Sequence, residues 1–494
     1  MNPLNLFRNK PIAPWDDCRS LILWNNREPW TIGDSFEGVQ VFGDTGSGKS
    51  STSAKILAAS MLRAGYGGLV LTVKPEDSTD WKQWLKENGR EQDGIFFKPG
   101  SGLCFNFLDY ELQRGRELGS GSRNAAHILA ELISLTQRSS GKVDDFWNQA
   151  ANELVSAILE LLLAAGEIPS LKLAKEIVES APKTIAQVRD PIWQGESRCW
   201  ALIQKGRANA ASAPDFAMAE NYWLKQFPDM AEKMRSSIVA TFAASVARHF
   251  CFDDVHRLFG NATNVTPEDI FNGKIIVVDM PVKIYGDAGR FASIIWKYCV
   301  QLAVERRIDK QRPVFIFADE SQHFFTDYDQ LFQTTARSSK CSVVYLTQNL
   351  GNYMSQSPGE AGRHRVESMC NCLKTRIIHQ CSDPATRNWF ANAIGKRRIK
   401  REDGESTSFG KGKPLSSFNE KWVDDYWVLA DLATSLKTGN VANKFQVTAI
   451  VTKAGKTFSN GKPAMLARFD QRKFEPGYWP SYTVVAIPQP KPTE

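Results

Sequence analysis

Gly43-Asp44-Thr45-Gly46-Ser47-Gly48-Lys49-Ser50, followed by Ser51, limits what this 494-residue chain can fold into more than any other feature. The run fits G-x-x-x-x-G-K-[S/T], a loop whose glycines let successive backbone N–H groups curl around phosphates without Cβ clashes. Its surroundings suit the loop. The short β-prone run Val39–Phe42 stops at Gly43, a helical stretch opens at Ser50 and ends near Gly65, and Leu69–Val73 reads as a second buried strand. Strand, glycine loop, helix and strand in that order favour a parallel sheet. The helix aims its positive end at the phosphates, Lys49 is expected to reach the β- and γ-phosphates, and the Ser50 hydroxyl is expected to ligate Mg²⁺. Residues Gly43 to Ser51 are thus read as the cradle for ATP with Mg²⁺.

Such a loop needs an acid at the end of another buried strand for the metal, and a base to orient water. Val314-Phe315-Ile316-Phe317-Ala318-Asp319-Glu320 supplies both, with Asp319 on the metal side and Glu320 on the water side. Ile275–Val278 followed by Asp279 competes, but Met280-Pro281 follows it instead of a second acid. Gln348, after the apolar run Ser342–Leu346, is placed to sense the γ-phosphate. Arg337, just before that run, is read either as an arginine finger entering a neighbouring subunit's site or as a solvated surface arginine.

Apolar runs without alternation at Ile275–Val278, Val314–Phe317, Ser342–Leu346 and Thr375–Ile378 imply an α/β core, a sheet covered on both faces. From about Glu111 to His249 helical periodicity dominates instead, with Leu154, Ala157, Ile158, Leu161 and Leu162 on one face. The expected organisation is an N-terminal hairpin and extension over 1–35, with a turn at Asn25-Asn26. A nucleotide-binding domain covers 36–110 and 263–470, split by an inserted all-α domain over 111–262, and a Pro-rich tail covers 471–494. The Gly-, Lys- and Arg-rich stretch 395–417 reads as a mobile loop.

A net charge of +7 suits a polyanionic partner without requiring one. The basic cluster of Lys396, Arg397, Arg398, Lys400 and Arg401, with Lys411 and Lys413 nearby, is either a phosphate-tracking element or a solvated charge run. No helix-turn-helix or zinc pattern argues for base reading, so DNA binding is expected to show little sequence preference. The nine cysteines form no C-x-x-C pair, which points to a reducing compartment. No segment approaches the ~20 apolar residues of a membrane span, so a cytoplasmic location is expected, peripheral at the inner membrane only through a partner.

Taken in order, these features resemble the coupling proteins of conjugative type IV secretion, the TraD/TraG class of FtsK/HerA-like P-loop ATPases. The resemblance runs from about Val39 to Thr457. Thr45–Ser50 resembles the family's Walker A, Asp145-Phe146-Trp147-Asn148-Gln149-Ala150-Ala151 a signature in its all-α insertion, Asp319-Glu320 its Walker B, and Thr347-Gln348 its glutamine motif; Arg337 falls where its trans-acting arginine would be. The chain departs where that family has an Asp-Pro-Lys turn, showing Thr72-Val73-Lys74-Pro75, and where its members begin with transmembrane helices. The resemblance implies a RecA-like core, ATP hydrolysis in a DNA-translocating ring of six subunits, and contact with a relaxase and channel proteins. A HerA/FtsK-like DNA-processing or defence ATPase, and a nucleotide-gated protein that recruits a relaxase without pumping DNA, are the other readings.

Overall fold

Every residue of Val39–Phe42 (β3), Gly67–Leu71 (β4), Ile275–Val278 (β6), Val314–Ala318 (β7), Cys341–Thr347 (β8) and Thr375–Ile378 (β9) is buried. In the computed structural model these strands, with Gly94–Phe97 (β5), Gln446–Lys453 (β12) and Ala464–Asp470 (β13), form one sheet in the order β13-β12-β9-β3-β8-β7-β4-β6-β5. From β9 to β5 all neighbours are parallel, while β12 and β13 add antiparallel at the β9 edge. The structure describes residues 13–119, 122–139, 145–210, 212–244, 248–410, 413–474 and 483–484, of which 118, 136–139, 145–148, 401–410, 413–420, 473–474 and 483–484 by backbone alone.

The unbroken apolar runs have a physical reason. Successive side chains of a strand face opposite sides, and here both sides are covered. Ile275, Val277, Phe315 and Phe317 join one core with Ile56, Leu57 and Met61 of the helix Lys55–Arg63. Ile276, Val278, Val314 and Ile316 join the other with Phe291, Ile295 and Trp296 of the helix Val282–Arg306. Trp81, on the helix Pro75–Glu87, seals the first side by stacking on Phe315 and meeting Phe317 edge-on.

Between β5 and β6 the described residues form helices and connections, with no strand. The longest helix, Asp145–Ala165, buries Leu154, Ile158, Leu161 and Leu162, and Trp223 donates its indole N–H to the Ala157 carbonyl. The side chains of Asp145–Asn148 lie outside the described ones. At the start, Ser20–Trp24 (β1) and Glu28–Thr31 (β2) pair around Asn25 and Asn26, both at positive φ, as a type I′-like hairpin needs. Apart from Gln471–Phe474 and Thr483–Val484 (β14), which pairs with β1, the Pro-rich tail lies outside the described residues.

One expectation is overturned. The stretch read as a mobile loop at 395–417 belongs to a long antiparallel hairpin, Lys396–Gly410 (β10) paired with Lys413–Tyr426 (β11). At its base, Lys396 lies over the Tyr426 ring, Arg397 over Trp427 and Lys400 over Trp422, while Arg398 pairs with Asp424 at 3.4 Å. Aromatic faces and an acid from the second strand hold the charged first strand extended. The side chains of Arg401, Lys411 and Lys413 lie outside the described ones.

Candidate active site

Four adjacent strands deliver the site at their carboxyl ends, where open α/β sheets bind ligands. β3 leads into the phosphate loop, β8 into Gln348, β7 into Asp319 and Glu320, and β4 into Lys74. The loop lies close to its neighbours. Gly48 has φ +88°, and a Cβ there would stand 2.8 Å from a Val447 methyl; one at Gly43 would stand 2.5 Å from the Ser47 hydroxyl. The Ser47 Oγ is buried without a hydrogen-bond partner, a polar atom left for a ligand inside the loop. The helix that follows begins with a wide turn, Ala54 N–H donating to the Lys49 carbonyl at 3.0 Å.

Ser50 Oγ donates to Asp319 Oδ2 at 2.7 Å, joining the two residues assigned to the metal. Asp279 does not reach the loop; it accepts from Ser78 Oγ at 2.5 Å and lies 3.5 Å from the Lys98 ammonium. A hydroxyl and a carboxylate are hard oxygen donors that suit Mg²⁺, which binds proteins through one or two such groups and fills its octahedron with waters and phosphates. Among the described residues no cluster of three or more His, Cys, Asp or Glu could hold a metal, so a dedicated protein cage is absent there.

Glu320 is 5% exposed and sits at φ +48°, a conformation costly for a residue with a Cβ and typical of functional turns. Its Oε1 lies 3.6 Å from the Lys49 ammonium, 3.7 Å from that of Lys74, and accepts from Gln348 Nε2 at 3.3 Å. Its Oε2 accepts from Gln322 Nε2 at 3.0 Å, and Gln322 is itself held by the Thr347 hydroxyl at 2.8 Å. Burial pushes the Glu320 carboxyl up, but Lys49, Gln322, Gln348 and Lys74 together outweigh it and hold its pKa below the usual value. The group is therefore an ionised, oriented carboxylate at neutral pH, in the state that a general base requires.

Thr45 to Ser51 line a cavity of about 300 Å³ together with Lys74, Glu320, Gln348 and Gln471. Gly43 and Asp44 stand at its edge. The Gly43 N–H donates to the Gln348 carbonyl, and the Asp44 carboxylate accepts from Gln380 and from the Ser382 N–H. Arg337 is not brought to this site. It lies between the helix Tyr328–Thr335 and β8, exposed, paired at 3.1 Å with Glu37, which precedes β3. Both residues stand at the strand ends opposite the phosphate loop.

Sequence reasoning passed over Lys74, Gln322, Gln471 and His379. Lys74 had a signal, since Lys-Pro at the end of a buried strand next to β7 puts an ammonium at the sheet's carboxyl edge. Gln471 had none, lying 420 residues from the Ser51 hydroxyl to which it donates at 2.9 Å.

A glycine loop on β3, a lysine and serine at its helix, and an acid pair on β7 define a P-loop nucleoside triphosphatase. A family profile described as "Type IV secretory system Conjugative DNA transfer" matches residues 8–259, and one described as "TraM recognition site of TraD and TraG" matches residues 313–425. The chain belongs to this conjugative DNA transfer family, as a coupling protein of the TraD/TraG class. No curated protein sequence matches it significantly.

Among solved structures, the bacterial conjugative coupling protein TrwBdeltaN70 in an unbound form is similar over 92% of this chain and 88% of its own, with TM-score 0.59 and 15% identity. TrwB with the non-hydrolysable ATP analogue ADPNP matches at TM-score 0.59 and 15% identity, over 92% of this chain and 89% of that one. TrwB with ADP and Mg²⁺ matches at 0.57 and 16%, over 92% and 90%. At that identity the likeness is one of fold, a RecA-like core with an all-α region.

Proposed function

We propose that this chain is an ATP-driven motor that couples DNA to a type IV secretion channel. The observation that carries the reading is the Ser50–Asp319 contact at 2.7 Å with Glu320 held beside Lys49. It joins loop, metal pair and base at one strand edge. Residues 43–51 bind the triphosphate through backbone N–H groups and the Lys49 ammonium. Mg²⁺ bound by Ser50 and Asp319 would neutralise phosphate charge as the terminal bond breaks. Glu320 takes a proton from the attacking water, and Gln348 and Gln322 hold its carboxylate in place. The TrwB structures with ADPNP and with ADP and Mg²⁺ support ATP and Mg²⁺ as the ligands.

The domain limits 36–110 and 263–470 around the helical 111–262 form part of this reading, as does a homohexameric ring in which Arg337 of one subunit completes its neighbour's site. DNA, a relaxase and channel proteins are the partners. No helix among the described residues is long and apolar enough to cross a membrane; peripheral placement of the ring at the inner membrane through a partner is part of the same reading. The family match favours conjugation over a DNA-processing or defence task.

The test is ATP hydrolysis with and without single-stranded and duplex DNA, beside Lys49→Ala as the blank. Stimulation by either DNA form, absent from the blank, is expected. Hydrolysis indifferent to DNA at every salt concentration would remove the motor and leave a nucleotide-gated docking protein.

A further inference from the structure

Lys74 stands where nothing in the phosphate-loop pattern requires a residue. Its ammonium shares the Glu320 Oε1 atom with Lys49, 3.7 Å against 3.6 Å, so the two cations are neighbours across one carboxylate oxygen. They differ in freedom. The Lys49 side chain is 6% exposed and that of Lys74 41%. The backbone below Lys74 is pinned, since the Val73 and Lys74 N–H groups both donate to Asp77 Oδ2, at 2.9 and 2.8 Å, and Pro75 opens the next helix. A fixed Cα with a half-exposed ammonium leaves the side-chain torsions as the moving part.

We propose that Lys74 reads the terminal phosphate of the nucleotide, leaving Glu320 for that phosphate when a triphosphate enters and returning when only a diphosphate is bound. The inference rests on the proposed ATP site. Lys74 lines the same cavity as Thr45–Ser51 and Glu320, so a terminal phosphate there lies within its reach. A phosphoryl group offers more charge and more acceptor oxygens than one carboxylate oxygen, which draws the ammonium across. With Lys49 drawn to the same phosphates, the departure of Lys74 leaves Gln348 alone on Oε1 of Glu320 and opens the other lone pair of that oxygen to water, so the base is released when there is a terminal phosphate to cleave. With a diphosphate no acceptor replaces the carboxylate, and the base stays covered. Lys74 is thereby a specificity-determining residue that separates triphosphate from diphosphate, and a gate on Glu320.

The experiment is titration calorimetry of the full chain in Mg²⁺ with a non-hydrolysable ATP analogue and, separately, with ADP. Lys74→Met should weaken the analogue about tenfold or more while leaving ADP within about twofold, and Lys74→Arg should recover most of the loss. The helix cap below uses backbone N–H groups, so both variants keep it, and their melting temperatures check this. Equal weakening of both nucleotides, or of neither, would overturn the assignment. The phosphate-loop reading is tested apart from it by the wild type and Lys49→Ala. Wild-type binding lost in Lys49→Ala upholds that reading whatever Lys74 does, and a wild type that binds neither nucleotide brings down both.

Discussion

His379 follows β9 in full burial beside the phosphate loop, its Nε2 2.8 Å from the Ser53 hydroxyl. Burial, and secondarily the Lys49 charge, lower its pKa from 6.5 to about 3, so the folded protein keeps the ring neutral. A folded pKa below the unfolded one means that the unfolded chain binds the extra proton. Stability is then full above about pH 6.5 and is lost as pH falls from there toward 3. Relative to His379→Gln, the wild type should lose about 1–2 kcal/mol between pH 7 and pH 5. Urea unfolding midpoints of the two proteins at several pH values check this, and parallel pH profiles would refute it. No pattern in the sequence marked this residue. Lys49, Ser50, Asp319 and Glu320 were legible because phosphate and magnesium chemistry demands those residue types at fixed places after a strand. His379 and Gln471 reach the loop only through the folded sheet, and no local rule points to them.

At the scale of elements, strands buried on both faces announce themselves, because a fully covered strand must be apolar at every position. Val314–Ala318 and Ile275–Val278 do so. β10 does not. Its run from Lys396 to Gly410 is charged and polar apart from Ile399, Phe409 and two glycines, and what holds its base extended lies on or beside β11, in Trp422, Asp424, Tyr426 and Trp427. Cross-strand partners separated by roughly twenty to thirty residues leave no local period to read. β12 carries the β-branched run Val447–Thr452, obscured by Gly- and Lys-rich neighbours. Among the described strands β10 and β11 pair only with each other. Replacing 399–423 by a short Gly-Ser turn should therefore shift the melting temperature by less than about 4 °C and leave nucleotide affinity unchanged. Calorimetry and nucleotide titration of the shortened chain check both. A collapse of either would show that the hairpin supports the core.

The whole molecule has a direction. β3 and β8 run parallel, the phosphate loop leaves the carboxyl end of β3, and Arg337 precedes the seven-residue β8, about 20 Å away at ~3.3 Å per residue. Within one chain Arg337 cannot serve the site; in the proposed ring it would face a neighbour. Arg337→Ala should lower ATP hydrolysis at least about a hundredfold without changing ATP affinity. Mixing it with Glu320→Gln should restore part of the activity, because one of the two orders of a mixed interface pairs an intact Arg337 with an intact Glu320. A mixture no more active than its parts would leave Arg337 a surface residue. The all-α region was legible as a block of helical periodicity interrupting strands, whereas the antiparallel edge β12–β13 was not. Nucleotide retention and single-turnover cleavage by Glu320→Gln bear most directly on the whole account. Bound ATP retained at near wild-type affinity, with cleavage at least about a thousandfold slower, is expected if this carboxylate is the base. Cleavage at the wild-type rate would contradict it.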